Sequence, residues 1–261
     1  MKNKKRFPIK FIIIDIFLVF CVVTLFYQFY QSKKLEKNLE QVRIQSQINQ
    51  EERKKQEEQE RLEKQKEQEE LARQEQERLE EIKKSLPTKF NMRDKIKITA
   101  ENQEQTGNCG DFAVTKLIEI TLNYQGNYNY NFKKVYNYLK TDHESNGFEP
   151  MFKDILGLDI KLKYDEFSGK SENDLIFVKN EIANGRPMVM LINKDLSLSL
   201  GAVNGNYVGH AMVIIGYDDT KQSWLVLNSW GPNWRNNGTF WLEYNNEGIY
   251  GIEQVIIEQN N

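Results

Sequence analysis

The chain has 261 residues, 28% charged and 39% apolar, with a formal net charge of −2. That near-neutral balance gives no reason to expect a nucleic-acid partner. Two cysteines, Cys21 and Cys109, exclude a disulfide framework.

Three unlike segments follow one another. Residues 1–10 carry Lys2, Lys4, Lys5, Arg6 and Lys10. Residues 11–30 are almost wholly apolar, with Asp15 the only charge, and about 20 apolar residues are what a spanning helix needs. Phe26, Tyr27, Phe29 and Tyr30 stand at the outer end of this run, where amphipathic rings favour the membrane interface. A cleaved signal peptide is the competing reading. It needs small residues near the end of the run, and 25–30 are bulky. More positive charge lies before the run than just after it, at Lys33, Lys34 and Lys37. The expectation is therefore a single-pass signal-anchor helix over 11–30, with a cytoplasmic N-terminus and the rest of the chain extracytoplasmic.

Residues 31–85 are rich in Glu, Gln, Lys and Arg and contain no Gly or Pro. These are good helix formers, and pairs such as Glu51–Lys55 and Glu80–Lys84 have the favourable i,i+4 orientation. Leu35, Leu39 and Val42 begin a coiled-coil seam, but Asn49, Gln56 and Glu63 occupy its continuation. The segment reads as a solvated helical stalk of about 80 Å at ~1.5 Å per residue. Weak self-association through it is the alternative.

Pro87 stops that helix and the composition changes at once. Residues 86–261 are enough for one domain with a substantial core. Helices are predicted over 111–124, 132–139 and 171–184, the last ended by Gly185 and Pro187. Strands are predicted over 188–192, 210–217, 224–228 and 238–244. Helices first and strands later imply a segregated α+β domain.

Cys109 opens the first of these helices, where unpaired N–H groups and the macrodipole favour a thiolate. Gly107 before it permits a tight backbone approach. A lone Cys is also commonly a small buried apolar side chain, so a base is needed before chemistry can be argued. His210 follows Gly209 at the start of a strand, and 218–222 is polar and turn-like. An antiparallel hairpin centred near Thr220 sets residue 210 opposite residue 229 or 230. Asn228 then lies beside His210 and can hold one imidazole nitrogen while the other faces the thiol. Trp230 can cover that bond. Gln103 precedes Cys109 by six residues, and its NH2 group, with the Cys109 N–H, can stabilise an oxyanion. His143 lies in a loop-like stretch and reads as surface.

Leu86-Pro87, Asn91-Met92-Arg93-Asp94, Asn102-Gln103, Gly107-Asn108-Cys109, Gly209-His210-Ala211 and Asn228-Ser229-Trp230-Gly231-Pro232-Asn233-Trp234 together resemble the papain family of cysteine peptidases. Asn237-Gly238-Thr239-Phe240-Trp241 is similar to the strand that follows in that family. The resemblance runs from 86 to about 244 and is specific at both ends of the domain. It implies Cys109 as nucleophile, His210 as base, Asn228 as orienting residue and Gln103 in the oxyanion hole. It also implies a two-lobed fold, a helical lobe facing a β-barrel-like lobe, and a peptide or protein substrate. No metal or organic cofactor is required. Gly110 and Asp111 depart from the family, which has Trp directly after the nucleophile, and Thr106 replaces a half-cystine. His and Asn are expected about 130–150 residues after the Cys, yet here they come sooner, so the domain is a compact variant. Trimming of a leader peptide, cleavage of wall peptides and an inactive binding module are the alternatives. Some leader-processing peptidases also have Gln six residues before Cys-Gly but use Asp as third member, where this chain has Asn228.

Overall fold

The computed structural model describes residues 9–141, 147–202 and 209–259, with side chains from 18 to 258 within those bounds. His143 lies outside the described residues. The chain divides into two compact units, Met1–Gln74 and Glu75–Asn261.

Helix α1, Ile9–Ser85, runs without interruption through the segments expected as anchor and stalk. Its ion pairs Lys33–Glu36 and Glu70–Arg73 are exposed, and such pairs contribute little individually. Among the described residues, no helix is long and apolar enough to cross a membrane. The structure therefore does not support the anchor expected over 11–30. The side chains of 11–17 within that run lie outside the described ones.

In the second unit α1 stops at Ser85, just before Pro87, with Leu86 N–H still donating to Ile82 O. Lys83 in its last turn pairs with Glu172. Strand β1, Lys89–Asn91, leads into a short 3-10 turn, Met92–Asp94, capped by the Asn91 side chain accepting from Arg93 N–H at 3.0 Å. Helices α2 (Cys109–Tyr124), α3 (Phe132–Leu139) and α4 (Phe148–Leu156) follow. Helix α2 is buried on more than one face. Val114, Thr115, Lys116, Ile118 and Leu122 are buried as well as Ala113, Leu117 and Ile120. A helix covered on several sides is the centre of a domain, not its rim.

Strands β2 (Ile160–Phe167), β3 (Met188–Asn193), β4 (Gly209–Asp218), β5 (Ser223–Leu227), β6 (Thr239–Glu243) and β7 (Ile249–Gln259) pair antiparallel in the order β2-β7-β3-β4-β5-β6. Helices α5 (Glu172–Ala183) and α6 (Lys194–Ser199) flank β3 in sequence. Strand β4 is the spine. β3 takes its first half, Gly209 to Ile214, and β1 takes Gly216 to Asp218. The α+β class holds, but segregation is incomplete, because β1 and β2 come from the part expected to be helical. Strand β7 is absent from the sequence expectations, yet it sits between β2 and β3.

The turn between β4 and β5 forms where its chemistry dictates. Asp218 Oδ1 accepts from Thr220 N–H at 3.0 Å and from Thr220 Oγ1 at 2.6 Å, a side chain closing its own turn. Trp224 and Tyr217, directly opposed above it, are fully buried.

Candidate active site

Cys109 is the first residue of α2 and a free thiol. The helix begins two residues earlier than expected, so the sulfur belongs to its first turn. Phe112 N–H donates to Asn108 O at 2.9 Å, closing that turn. The Asn108 side chain does not cap it; its Nδ2 donates to Leu139 O at 2.7 Å and ties the helix start to α3.

His210 stands at the second position of β4, with only 6% of its surface exposed. The β4–β5 ladder carries one extra residue between Ile214 and Gly216 and then pairs Val213 with Leu227. Continued past that pair, the register sets His210 opposite Trp230, as the hairpin argument predicts. The two rings stack at 5.0 Å and 24°. Trp234 meets Trp230 edge-on at 5.3 Å, so aromatic cover lies over the imidazole.

The bond beneath that cover fixes a protonation pattern. Asn228, 2% exposed, places Oδ1 2.8 Å from His210 Nε2. The same oxygen accepts from Ser229 N–H at 2.8 Å. A backbone N–H can only donate, so the amide oxygen must face it, which settles the Asn228 orientation. His210 Nε2 then carries hydrogen. In the neutral ring the lone pair then sits on Nδ1. Burial holds His210 below its ordinary value of 6.5, and the Asn228 bond offsets this only in part.

Gln103 joins the same network. Its backbone N–H donates to Ser229 O at 2.7 Å, and its Oε1 accepts from Ser229 Oγ. With the oxygen so engaged, the NH2 end gives one hydrogen to Thr106 O at 2.8 Å and keeps a second. Ser229 is the hub that sequence reasoning left without a role. It sits inside the quoted Asn-Ser-Trp motif, but its contacts run across the fold and have no sequence signal.

Gln103, Cys109, Gly209, His210 and Trp230 line one open cavity of about 420 Å³. Thr106, Ser197 and Trp234 contribute further wall. Gly209 is required by space, since a Cβ there would lie 2.5 Å from Ile192 O. Gly107 is not among the lining residues and precedes α2 in a bend. Next to Cys109, a Cβ on Gly110 would meet nothing within 4 Å. The arrangement offers a thiol at a helix start, a buried imidazole hydrogen-bonded at Nε2, and amide N–H donors along one cavity.

Residues 133–259 match the family described as Papain family cysteine protease. His210 and Asn228 lie within that stretch, whereas Gln103 and Cys109 precede it. The chain is 32% identical to Silicatein of Petrosia ficiformis over 79 residues, 26% of this chain and 23% of that protein. It is 36% identical to Cathepsin B-like CP1 of Giardia intestinalis over 61 residues, 22% and 18% of the two chains. Cathepsin K of Mus musculus is 38% identical over 50 residues, 18% and 15%. The matches thus span less than a quarter of these relatives.

Proposed function

From the papain-family likeness of residues 133–259, we propose that this chain is a cysteine-type peptidase hydrolysing peptide bonds through an acyl-enzyme. The carrying observation is that Gln103, Cys109 and His210 line one cavity while Asn228 Oδ1 holds His210 Nε2 at 2.8 Å. In this reading His210 Nδ1 takes the Cys109 proton, and the thiolate attacks the substrate carbonyl. The Cys109 N–H and the second Gln103 Nε2 hydrogen receive the charge that develops on oxygen. His210 returns its proton to the leaving amine, and water activated by the same ring releases the acyl group. By accepting the Nε2 hydrogen in both the neutral and the charged ring, Asn228 leaves Nδ1 as the nitrogen that takes up and returns the proton.

The family's two-lobed division belongs to the same reading. It is supported by a nucleophile on α2 and a base on β4 reaching one cavity. Membrane attachment through 11–30 and an extracytoplasmic domain are further parts of the proposal, carried by the apolar run and the charge around it. Weak self-association through the stalk 31–85 rests on the partial seam of Leu35, Leu39 and Val42.

The test is turnover of a fluorogenic peptide library by reduced protein. Hydrolysis that vanishes in Cys109→Ser is the expected result. No hydrolysis of any member by native protein would overturn the peptidase reading and favour a binding module. Cleavage confined to double-glycine or wall-type peptides would narrow the reaction to processing.

A further inference from the structure

Lys116 is a cation inside the domain, seven residues along α2 from Cys109, with its side chain 6% exposed. Its Nζ lies 2.5 Å from Glu119 Oε2 and 3.6 Å from Glu101 Oε1, and 4.8 Å above the Tyr136 ring. Tyr136 OH donates to Glu119 Oε2 at 2.7 Å. Burial and the Glu119 charge hold that phenol well above its ordinary value, so it stays a donor. A buried ammonium is costly without a partner, and Glu119 on the same helix already supplies one. Glu101 is the partner that neutralisation does not require.

Glu101 differs in what it is attached to. It opens the segment that carries Gln103, and that segment is fastened to the other side of the cleft. Glu101 O accepts from Gly231 N–H at 2.9 Å, Asn102 bridges to Trp230, and Gln103 N–H donates to Ser229 O. The Glu101 side chain turns the opposite way, toward α2. Glu101 and Lys116 line a small cavity with Asn228 and Ser229. The Glu101 side chain is 29% exposed, so the contact is a half-buried pair that adds little stability by itself. Registry is the best-attested use for such pairs.

We propose that Glu101 and Lys116 form a positioning pair that sets how Gln103 approaches Cys109, and so the spacing of the two oxyanion donors. The inference rests on the peptidase reading above. One donor is the N–H of the first residue of α2, the other a side chain on the 101–103 segment. The Glu101–Lys116 contact links those two pieces of backbone. It acts on the step that puts charge on a carbonyl oxygen and leaves thiol reactivity alone.

Two rates separate these effects in Glu101→Gln, which preserves shape and leaves Lys116 paired with Glu119. Peptide hydrolysis develops an oxyanion. Alkylation of Cys109 by iodoacetamide does not, since the sulfur displaces iodide at a saturated carbon. The expected result is a kcat lower by about tenfold, with KM and the alkylation rate across pH each held within about twofold. In a Gln103→Ala background, Glu101→Gln should cost less than about twofold more, because both act through one donor. If Glu101→Gln loses cooperative unfolding, Glu101→Asp makes the same comparison with the charge kept. Unchanged kcat overturns the inference. So do parallel losses in turnover and alkylation, or independent losses in the double variant. Native protein that alkylates at Cys109 but turns over no peptide overturns the peptidase reading, and the inference with it.

Discussion

Asn228 does more than orient a ring. Its oxygen is shared between His210 Nε2 and Ser229 N–H, so the imidazole tautomer follows from a backbone group that cannot rotate. Asn228→Ala leaves a buried ring N–H without its acceptor, a loss of about 1–3 kcal/mol. If that loss falls on the transition state, kcat/KM drops roughly 5- to 150-fold, which steady-state kinetics on one peptide will show. Gln103→Ala should lower kcat by about 10²–10³ with KM little changed, as for removal of one oxyanion donor. His210 also makes stability depend on pH. Burial holds it below 6.5, so the unfolded chain takes up its proton at a higher pH than the fold does. Its contribution is complete above about pH 6.5 and is lost as pH falls from there through the lowered value. Thermal unfolding from about pH 7.5 to about pH 5 should fall more steeply for native protein than for His210→Gln. Equal slopes would mean that the ring is not held neutral.

At the scale of elements, the β4–β5 hairpin delivers the site, and its register includes an extra residue near Ile215. A one-residue slip turns every side chain of a strand to the other face. Deleting Met212, which lies between that extra residue and His210, should therefore rotate His210 out of the cavity and abolish turnover. Ile215→Val should cost only about 0.5–1.5 kcal/mol and keep it. A deletion variant with native turnover would show that the register does not place the base. The hairpin was legible because its turn chemistry is local, Asp218 closing on Thr220, and pairing then propagates from it. The irregularity near Ile215 was not, though it keeps His210 opposite Trp230. Strand β2 had a readable alternation, Ile160, Leu162 and Tyr164 with charges between, but its partner β7 lies far along the chain. The contacts of Ser229, Glu101 and Lys116 also join distant segments, and no spacing rule announces them.

For the whole molecule, the change in composition at Pro87 marked the domain, because helix-forming residues give way there to Tyr, Ile and Gly. The compact unit nevertheless begins at Glu75, with Leu79 and Ile82 half-buried in the last turns of α1. Side-chain burial, which composition does not report, moves that boundary. Attachment through the apolar run predicts that deleting residues 1–30 shifts the protein from the membrane pellet to the soluble fraction, with kcat/KM on a short peptide unchanged. Fractionation that ignores the deletion would remove the tether. The central claim is that Cys109 is a nucleophile activated by His210. It is tested most directly by treating reduced native protein, Cys109→Ala and His210→Ala with a peptidyl epoxide and locating the adduct by mass spectrometry. The account predicts one adduct, on Cys109, in native protein, none in Cys109→Ala, and much slower labelling in His210→Ala. No adduct in native protein, or equal labelling of native and His210→Ala, would contradict it.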